Sequence, residues 1–151
     1  MAAIGFALID VFNRSERFSI KMSPYFVGFF AFCFSMTIGV VWEFFEFGMD
    51  TFFNMDMQKD WVVESINSVK LNTSGLNVPV HIDVESLLVN GKDFKLGGYL
   101  DIGLIDTMKD LVVNFIGAVI FSMIGIIYLK ANGKGRIAKS LIPIVNRIKR
   151  K

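Results

Sequence analysis

The chain has 151 residues, the length of one ordinary domain, yet 53% of them are hydrophobic and 16 are Phe. The mean hydropathy is +0.51, and a soluble domain of this size has too little interior to bury so much apolar surface. The single cysteine, Cys33, excludes an intrachain disulfide and a cysteine metal site. We predict an integral membrane protein whose partner is the lipid bilayer, with no nucleic-acid partner.

Positive and negative charges are segregated along the chain. Residues 130–151 hold eight Lys or Arg and no acid, and Arg14, Arg17 and Lys21 form a second basic segment. Residues 50–110 hold ten acids against five bases, a local charge of −5. Because cytoplasmic loops carry an excess of Lys and Arg, we predict that both basic segments are cytoplasmic and that the acidic middle lies outside.

The N-terminal part, residues 1–23, begins with the apolar stretch Met1–Phe12, which lacks the basic start and the cleavage site of a signal peptide. It indicates a partial transmembrane helix followed by a cytoplasmic connection. The next run, Pro24–Trp42, contains no charge and has about the ~20 residues needed to cross a bilayer. Glu43–Asp50 continues the helical pattern, with Phe on one side and acids on the other. We therefore predict a transmembrane helix over 24–50.

Residues 51–105 form an extracytoplasmic loop in this interpretation. His81–Glu85 alternates between polar and apolar residues, which is typical of a strand. Asn90-Gly91 lies between two β-like runs and is a strong hairpin signal. We predict a small external β-hairpin insertion, in which His81, the only histidine, is an ordinary surface residue.

A second apolar run, Leu111–Leu129, is followed by Lys130 and Gly133, which are typical helix-end residues. The acids of Asp106–Asp110 suit the first turns of the same helix, so we predict a transmembrane helix over 106–130. The basic tail, 131–151, suits contact with anionic lipids of the cytoplasmic leaflet or a simple topology anchor. The predicted fold class is mainly α: a polytopic transmembrane helix bundle with two secure spans, a partial N-terminal span and the β-hairpin insertion.

Small and acidic residues share one face of each predicted helix. At about 100° per residue, the stripe on the first helix contains Gly28, Ala31, Ser35, Gly39, Glu43, Glu46 and Asp50. The stripe on the second contains Asp106, Asp110, Asn114, Gly117, Phe121 and Gly125. Small residues let membrane helices approach closely, and ionisable groups at membrane depth face protein or water. We predict that the two stripes face each other.

Carboxylates that converge with no Lys or Arg among them require a metal ion, shared protons or a cationic ligand. Hard cations prefer oxygen ligands, so the expected cofactor is a divalent cation such as Mg²⁺. The candidate metal ligands are Glu43, Glu46, Asp106 and Asp110, supported by Asp50 and Asn114. The alternative is that these acids only cap the helices and hold their interface.

Three stretches carry a family resemblance: Trp42-Glu43-Phe-Phe-Glu46, Gln58, and the run from Asp106 through Asp110 and Asn114 to Gly117-Ala118. In them the chain resembles the VanZ-like and YjdF-like bacterial membrane proteins. Their pattern is an acid-bearing helix, a glutamine, and an aspartate-rich helix start that leads through Asn to Gly-Ala. The resemblance implies a multi-pass protein of the bacterial inner membrane with a mostly uncharacterised activity, and the VanZ relatives are linked to glycopeptide-antibiotic resistance.

Three functions stay open at this point. In the first, the outward-facing carboxylate cluster binds a divalent cation, and the protein binds or acts on an envelope lipid or its head group. Alternatively, the chain is a non-enzymatic transport component whose acids form a polar path through an oligomer. The third is a structural or interaction module that binds a partner through its hairpin. The acids gather at one end of the helices, which argues against transport; enzymatic activity and homo-oligomerisation stay undecided.

Overall fold

The computed structural model describes residues 3–5, 7–9 and 22–131. Two long helices, α1 (Pro24–Phe53) and α2 (Leu104–Lys130), are joined by a segment with six short strands. The chain divides into two compact units: a helical unit of residues 1–44 and 110–151, and a loop unit of residues 45–109. The basic segment Arg14–Lys21 and the predicted lipid-binding tail Arg136–Lys151 lie outside the described residues.

The ends of α1 follow from local residue chemistry. Ser23 caps the helix, since its Oγ accepts the Phe26 N–H at 3.2 Å and its carbonyl oxygen accepts the Val27 N–H at 3.1 Å. Pro24 suits the first helical position because no N–H is needed there. After Phe53, Asn54 adopts a φ of +52°, a left-handed conformation that ends helices. The helix thus continues past its predicted end at Asp50.

The helix α2 starts before its predicted first residue, Asp106. Gly103 has a φ of +140°, a backbone conformation that favours glycine, and turns the chain into the helix. The Asp101 Oδ2 accepts the Ile105 N–H at 2.8 Å, and the Gly103 carbonyl accepts the Thr107 N–H at 2.9 Å. These bonds satisfy donors that a helix N-terminus leaves open.

Both helices are long and apolar enough to cross a membrane. Phe29, Phe44, Val113 and Ile127 are each exposed by 64–69%, whereas the core helix of a soluble protein would bury such side chains. Large exposed apolar surfaces are typical of membrane contact. The structure confirms a mainly helical chain with two helices fit to span a membrane and small antiparallel sheets; a complete multi-pass bundle stays a prediction.

Within the helical unit, the small-residue stripe of α1 packs against α2. The buried residues of α1 are Val27, Gly28, Ala31, Ser35 and Glu43, all on one face. A Cβ atom at Gly28 would lie 2.6 Å from Ile126 Cδ1, and one at Gly39 would lie 2.9 Å from Asn114 Cγ. Neither position has room for a larger residue, so the predicted close approach of the α1 stripe to α2 is confirmed.

The contact face of α2 is rotated from the predicted one. Gly117 is exposed and a Cβ there would meet nothing within 4 Å, so its predicted place in the interface is wrong. Ala118 and Ser122 are buried instead, at 1% and 6% exposure. Together with Asn114 they follow an i, i+4, i+8 series, which stays on one side of a helix.

The described N-terminal residues, 3–5 and 7–9, are helical, in agreement with the helix predicted over Met1–Phe12. Ile9 belongs to a small buried apolar cluster with Val27 and Ala31. A Cβ atom at Gly5 would lie 3.0 Å from Phe34 Cδ1. This segment therefore packs closely against α1.

The loop unit contains three two-stranded antiparallel sheets: β1 (Trp61–Val63) with β6 (Tyr99–Asp101), β2 (Ser65–Ser68) with β3 (Val80–Asp83), and β4 (Leu88–Val89) with β5 (Lys92–Asp93). The β1–β6 pair closes the loop, with Trp61 opposite Asp101. The hairpin predicted at Asn90-Gly91 is present; both turn residues have positive φ, +52° and +76°, as a type I′ turn requires.

Two glycines of α1 provide a test of the helix contact. We expect Gly39→Ala to lower the free energy of unfolding by about 1–3 kcal/mol because its methyl group would overlap the Asn114 amide. Gly48→Ala is the matched control, since a Cβ there meets nothing within 4 Å and alanine favours a helix. Thermal unfolding in maltoside micelles measures both. Equal effects of the two substitutions would contradict the described interface.

Candidate functional site

The pair Glu43 and Asp110 is the centre of the candidate site in the helical unit. Glu43 follows the small-residue stripe of α1 and is only 7% exposed, whereas Asp110 is exposed on α2. Their carboxylate oxygens come within 4.8 Å of each other. Two negative charges at that distance repel by on the order of 3 kcal/mol at an effective dielectric constant of about 20, before solvent at Asp110 weakens the repulsion.

Glu46 lies one helical turn after Glu43 on α1 and belongs to the loop unit. The sequence of α1 contains no basic residue. The two lysines of α2 have other contacts: the Lys109 Nζ is 2.9 Å from the centroid of the Trp61 ring, and the Lys130 Nζ donates to the Tyr25 Oη at 2.9 Å.

Asn114, predicted to support the acids, contacts α1 instead. The Ser35 Oγ donates to the Asn114 Oδ1 at 3.3 Å, and the Asn114 Nδ2 donates to the Ser35 carbonyl oxygen, also at 3.3 Å. Both ends of the amide are therefore used in the helix interface. Asn114 lies one turn after Asp110 and fixes the packing on which the Glu43–Asp110 distance depends.

Asp50, the second predicted supporting residue, has a capping role in the loop unit. Its Oδ1 accepts the Met57 N–H at 2.6 Å and its Oδ2 accepts the Gln58 N–H at 2.9 Å. Both oxygens thus hold the segment that follows α1. This arrangement agrees with the alternative that some of the acids serve helix ends rather than a ligand.

The Asp106 carboxylate also accepts a hydrogen bond from a backbone N–H group. The residue is 7% exposed, and its Oδ2 accepts the Lys59 N–H at 2.9 Å. Beside it, the buried Gln58 donates from its Nε2 to the Thr107 Oγ1 at 2.6 Å. A Cβ atom at Gly103 would lie 2.9 Å from the Gln58 Oε1, so glycine is needed there. Asp106, Gln58 and Gly103 together fasten the segment after α1 to the start of α2.

The structure thus pairs two of the four candidate metal ligands, Glu43 with Asp110, and gives Asp106 a contact with the backbone. Reasoning from residue patterns missed the structural roles of Gly103 and Asp101. An aspartate and a glycine shortly before an apolar helix are a usual capping signal, which could have found both. Gln58 was named only through the family resemblance, and its burial explains why a glutamine at that position matters for the fold.

A comparison with protein families adds to these observations of exposed apolar helices. The profile of a family described as "Predicted membrane protein (DUF2238)" matches residues 1–131. The chain belongs to this family. DUF2238 membership agrees with the membrane class implied by the resemblance, while the finer VanZ-like or YjdF-like assignment stays a prediction. Among curated proteins and solved structures, no match to the chain was found.

The contact between Asp106 and Lys59 predicts different effects for two substitutions. Asp106→Asn keeps a carbonyl acceptor for the Lys59 N–H, so we expect a loss of less than about 1 kcal/mol, as for a lost charge at a helix start. Asp106→Ala leaves the donor without an acceptor and should cost about 1–3 kcal/mol. Urea or thermal unfolding of both variants in the same detergent measures the difference. Equal losses would show that the hydrogen bond does not stabilise the fold.

Proposed function

We propose that this DUF2238 protein binds a divalent cation at the carboxylates of Glu43 and Asp110 and presents it to the phosphate of an envelope lipid head group. The observation that carries the proposal is the approach of these two carboxylates to within 4.8 Å on one side of a close-packed helix pair. A cation between them would relieve their repulsion.

The distance suits hard cations. Mg²⁺ binds oxygens at about 2.0–2.1 Å and Ca²⁺ at about 2.3–2.6 Å, so two oxygens on opposite sides of one ion are about 4–5 Å apart. Glu43 and Asp110 are proposed as ligands, and Glu46 as a further oxygen donor on the same face of α1. In this proposal Asp106 acts indirectly, because its carboxylate holds the backbone at the start of α2.

A lipid phosphate is the proposed second partner of the ion. Mg²⁺ usually takes one or two carboxylates and completes its shell with water and phosphate oxygens. Asp110 is exposed, so a head group in the surrounding membrane could approach the ion from that side. The charge segregation of the sequence supports an outward-facing site, and the family resemblance suggests the bacterial inner membrane.

Transport is the weaker candidate. A proton or ion path through the bilayer needs polar groups along the depth of the helices, whereas Pro24–Trp42 carries no charge. Beyond the carboxylates, the described helix interface has the polar residues Ser35, Asn114 and Ser122, and at the opposite helix ends Lys130 bonds to Tyr25. Ser35 and Asn114 bond to each other, which suits a packing contact better than a path.

The cation site can be tested with Mn²⁺, whose binding is followed by electron paramagnetic resonance, on the full chain in maltoside micelles. We expect saturable binding, and a dissociation constant raised about tenfold or more by Glu43→Gln or Asp110→Asn because each removes one negative ligand. Asp93→Asn is the matched control, since it removes one acid from the β4–β5 hairpin. Unchanged binding in Glu43→Gln would overturn the proposal.

The lipid part of the proposal has a separate readout. A short-chain phosphatidylglycerol added to the micelles should tighten Mn²⁺ binding, and Mn²⁺ should tighten lipid binding by the same factor, because linkage is reciprocal. A short-chain maltoside of equal length is the control. Mn²⁺ binding that does not respond to the phosphate would leave a cation site and remove the lipid from the proposal.

A further inference from the structure

The loop unit contains a cavity of about 660 Å³ at the end of α1 and the start of α2. Ligand pockets in proteins are usually about 300–1,000 Å³, so its size suits a small organic molecule. Apolar side chains supply much of its wall, among them Phe47, Met55 and Leu104. The cavity is shaped by the bonds that join these segments, because Gln58 and Gly103 also line it.

The charged residues of the cavity wall are all acids. They are Asp50, Asp56, Asp60 and Asp101, and among the residues that the structure describes no Lys, Arg or His lines the cavity. Asp50 has both oxygens on backbone N–H groups and Asp101 has one, which fixes these two in place. Asp56 and Asp60 are exposed to solvent. The cavity therefore offers a negative potential beside an apolar wall.

The cavity acids are too dispersed for a metal ion. Among the described residues, the group of three or more carboxylates close enough to share one ion contains none of the four cavity acids. Spread charges beside an apolar wall suit a larger cation whose charge is carried on an organic group. Gln58 also lines the cavity; its Nε2 is bonded to Thr107 and its Oε1 lies close to Gly103.

We propose that this cavity binds an organic ammonium ion with an apolar chain, its charged head near Asp56 and Asp60 and its chain against Phe47, Met55 and Leu104. An ammonium head provides the N–H donors that the carboxylates accept. A chain of a few carbons buries apolar surface against the wall. The inference does not rest on the proposed cation site, whose residues Glu43 and Asp110 do not line the cavity.

The test uses four probes that separate charge from chain: hexylammonium, tetramethylammonium, hexanoate and hexanol. Saturation-transfer NMR on the full chain in maltoside micelles measures each dissociation constant. We expect saturable binding of hexylammonium, binding at least about tenfold weaker for tetramethylammonium, which lacks the chain, and no saturable binding of hexanoate. Hexanol, which has the chain and no charge, should also bind at least about tenfold more weakly.

Substitutions of cavity residues test whether hexylammonium binds in the cavity. Asp56→Asn with Asp60→Asn should weaken hexylammonium binding about tenfold or more, because two attractive charges near the head are removed. Asp83→Asn with Glu85→Gln is the matched control, since it removes two acids that do not line the cavity, and it should leave binding within about twofold. Met55→Asn tests the wall and should weaken hexylammonium binding, because the apolar contact with the chain is lost and no charge is added.

Dodecylammonium separates a membrane-borne amine from a soluble one. For each amine, the binding that is specific to the cavity is the difference between the unsubstituted protein and the variant with both Asp56→Asn and Asp60→Asn. If this specific binding is tighter for dodecylammonium than for hexylammonium, the natural ligand is a lipid-borne ammonium. If it is weaker, the natural ligand is a soluble molecule that fits inside the cavity. Either outcome supports the ammonium site. Equal binding of hexanol and hexylammonium, or no effect of the double substitution at Asp56 and Asp60, would overturn it.

Discussion

The packing of α1 against α2 at Gly39 and Asn114 is the constraint on which the candidate site depends. Gly39 leaves space for the Asn114 amide, and that amide bonds to Ser35 at both ends. In a bilayer few water molecules compete for the hydrogen bonds between Ser35 and Asn114, so these bonds favour one alignment of the two helices. One turn along α2 the same alignment brings Asp110 to Glu43. The carboxylate pair is thus a consequence of helix packing.

The acids near the helix ends have two different tasks. Asp50, Asp101 and Asp106 accept backbone N–H groups at the end of α1 and the start of α2, where such donors would otherwise be unsatisfied. Glu43 and Asp110 face another carboxylate instead. The first task holds the loop unit together and shapes its acidic cavity. The second brings two carboxylates close together, which is why the pair, rather than the whole set of acids, is proposed to bind a cation.

The sequence predicted the helices and the contact stripe well because both depend on regular periodicity. Pro24, the uncharged run after it and the spacing of Gly28, Ser35 and Gly39 all indicated α1 and its buried face. The wrong prediction for Gly117 has a simple cause: a stripe was counted from Asp106, whereas Ala118 and Ser122 make the contact. Capping was an open alternative for Asp50 and Asp106, but their backbone partners could not be predicted, since these depend on where the chain returns after α1 and periodicity does not determine a loop path.

The approach of Glu43 to Asp110 is the central claim, and thiol cross-linking tests it most directly. In a Cys33→Ser background, Glu43→Cys with Asp110→Cys should be joined efficiently in micelles by a short bifunctional thiol reagent, which spans the length that the two carboxylate side chains occupied. Phe44→Cys with Asp110→Cys should not, because Phe44 is 69% exposed on another face of α1. Efficient cross-linking of the first pair alone is the predicted result. Equal cross-linking of both pairs, or none for position 43, would contradict the described helix packing.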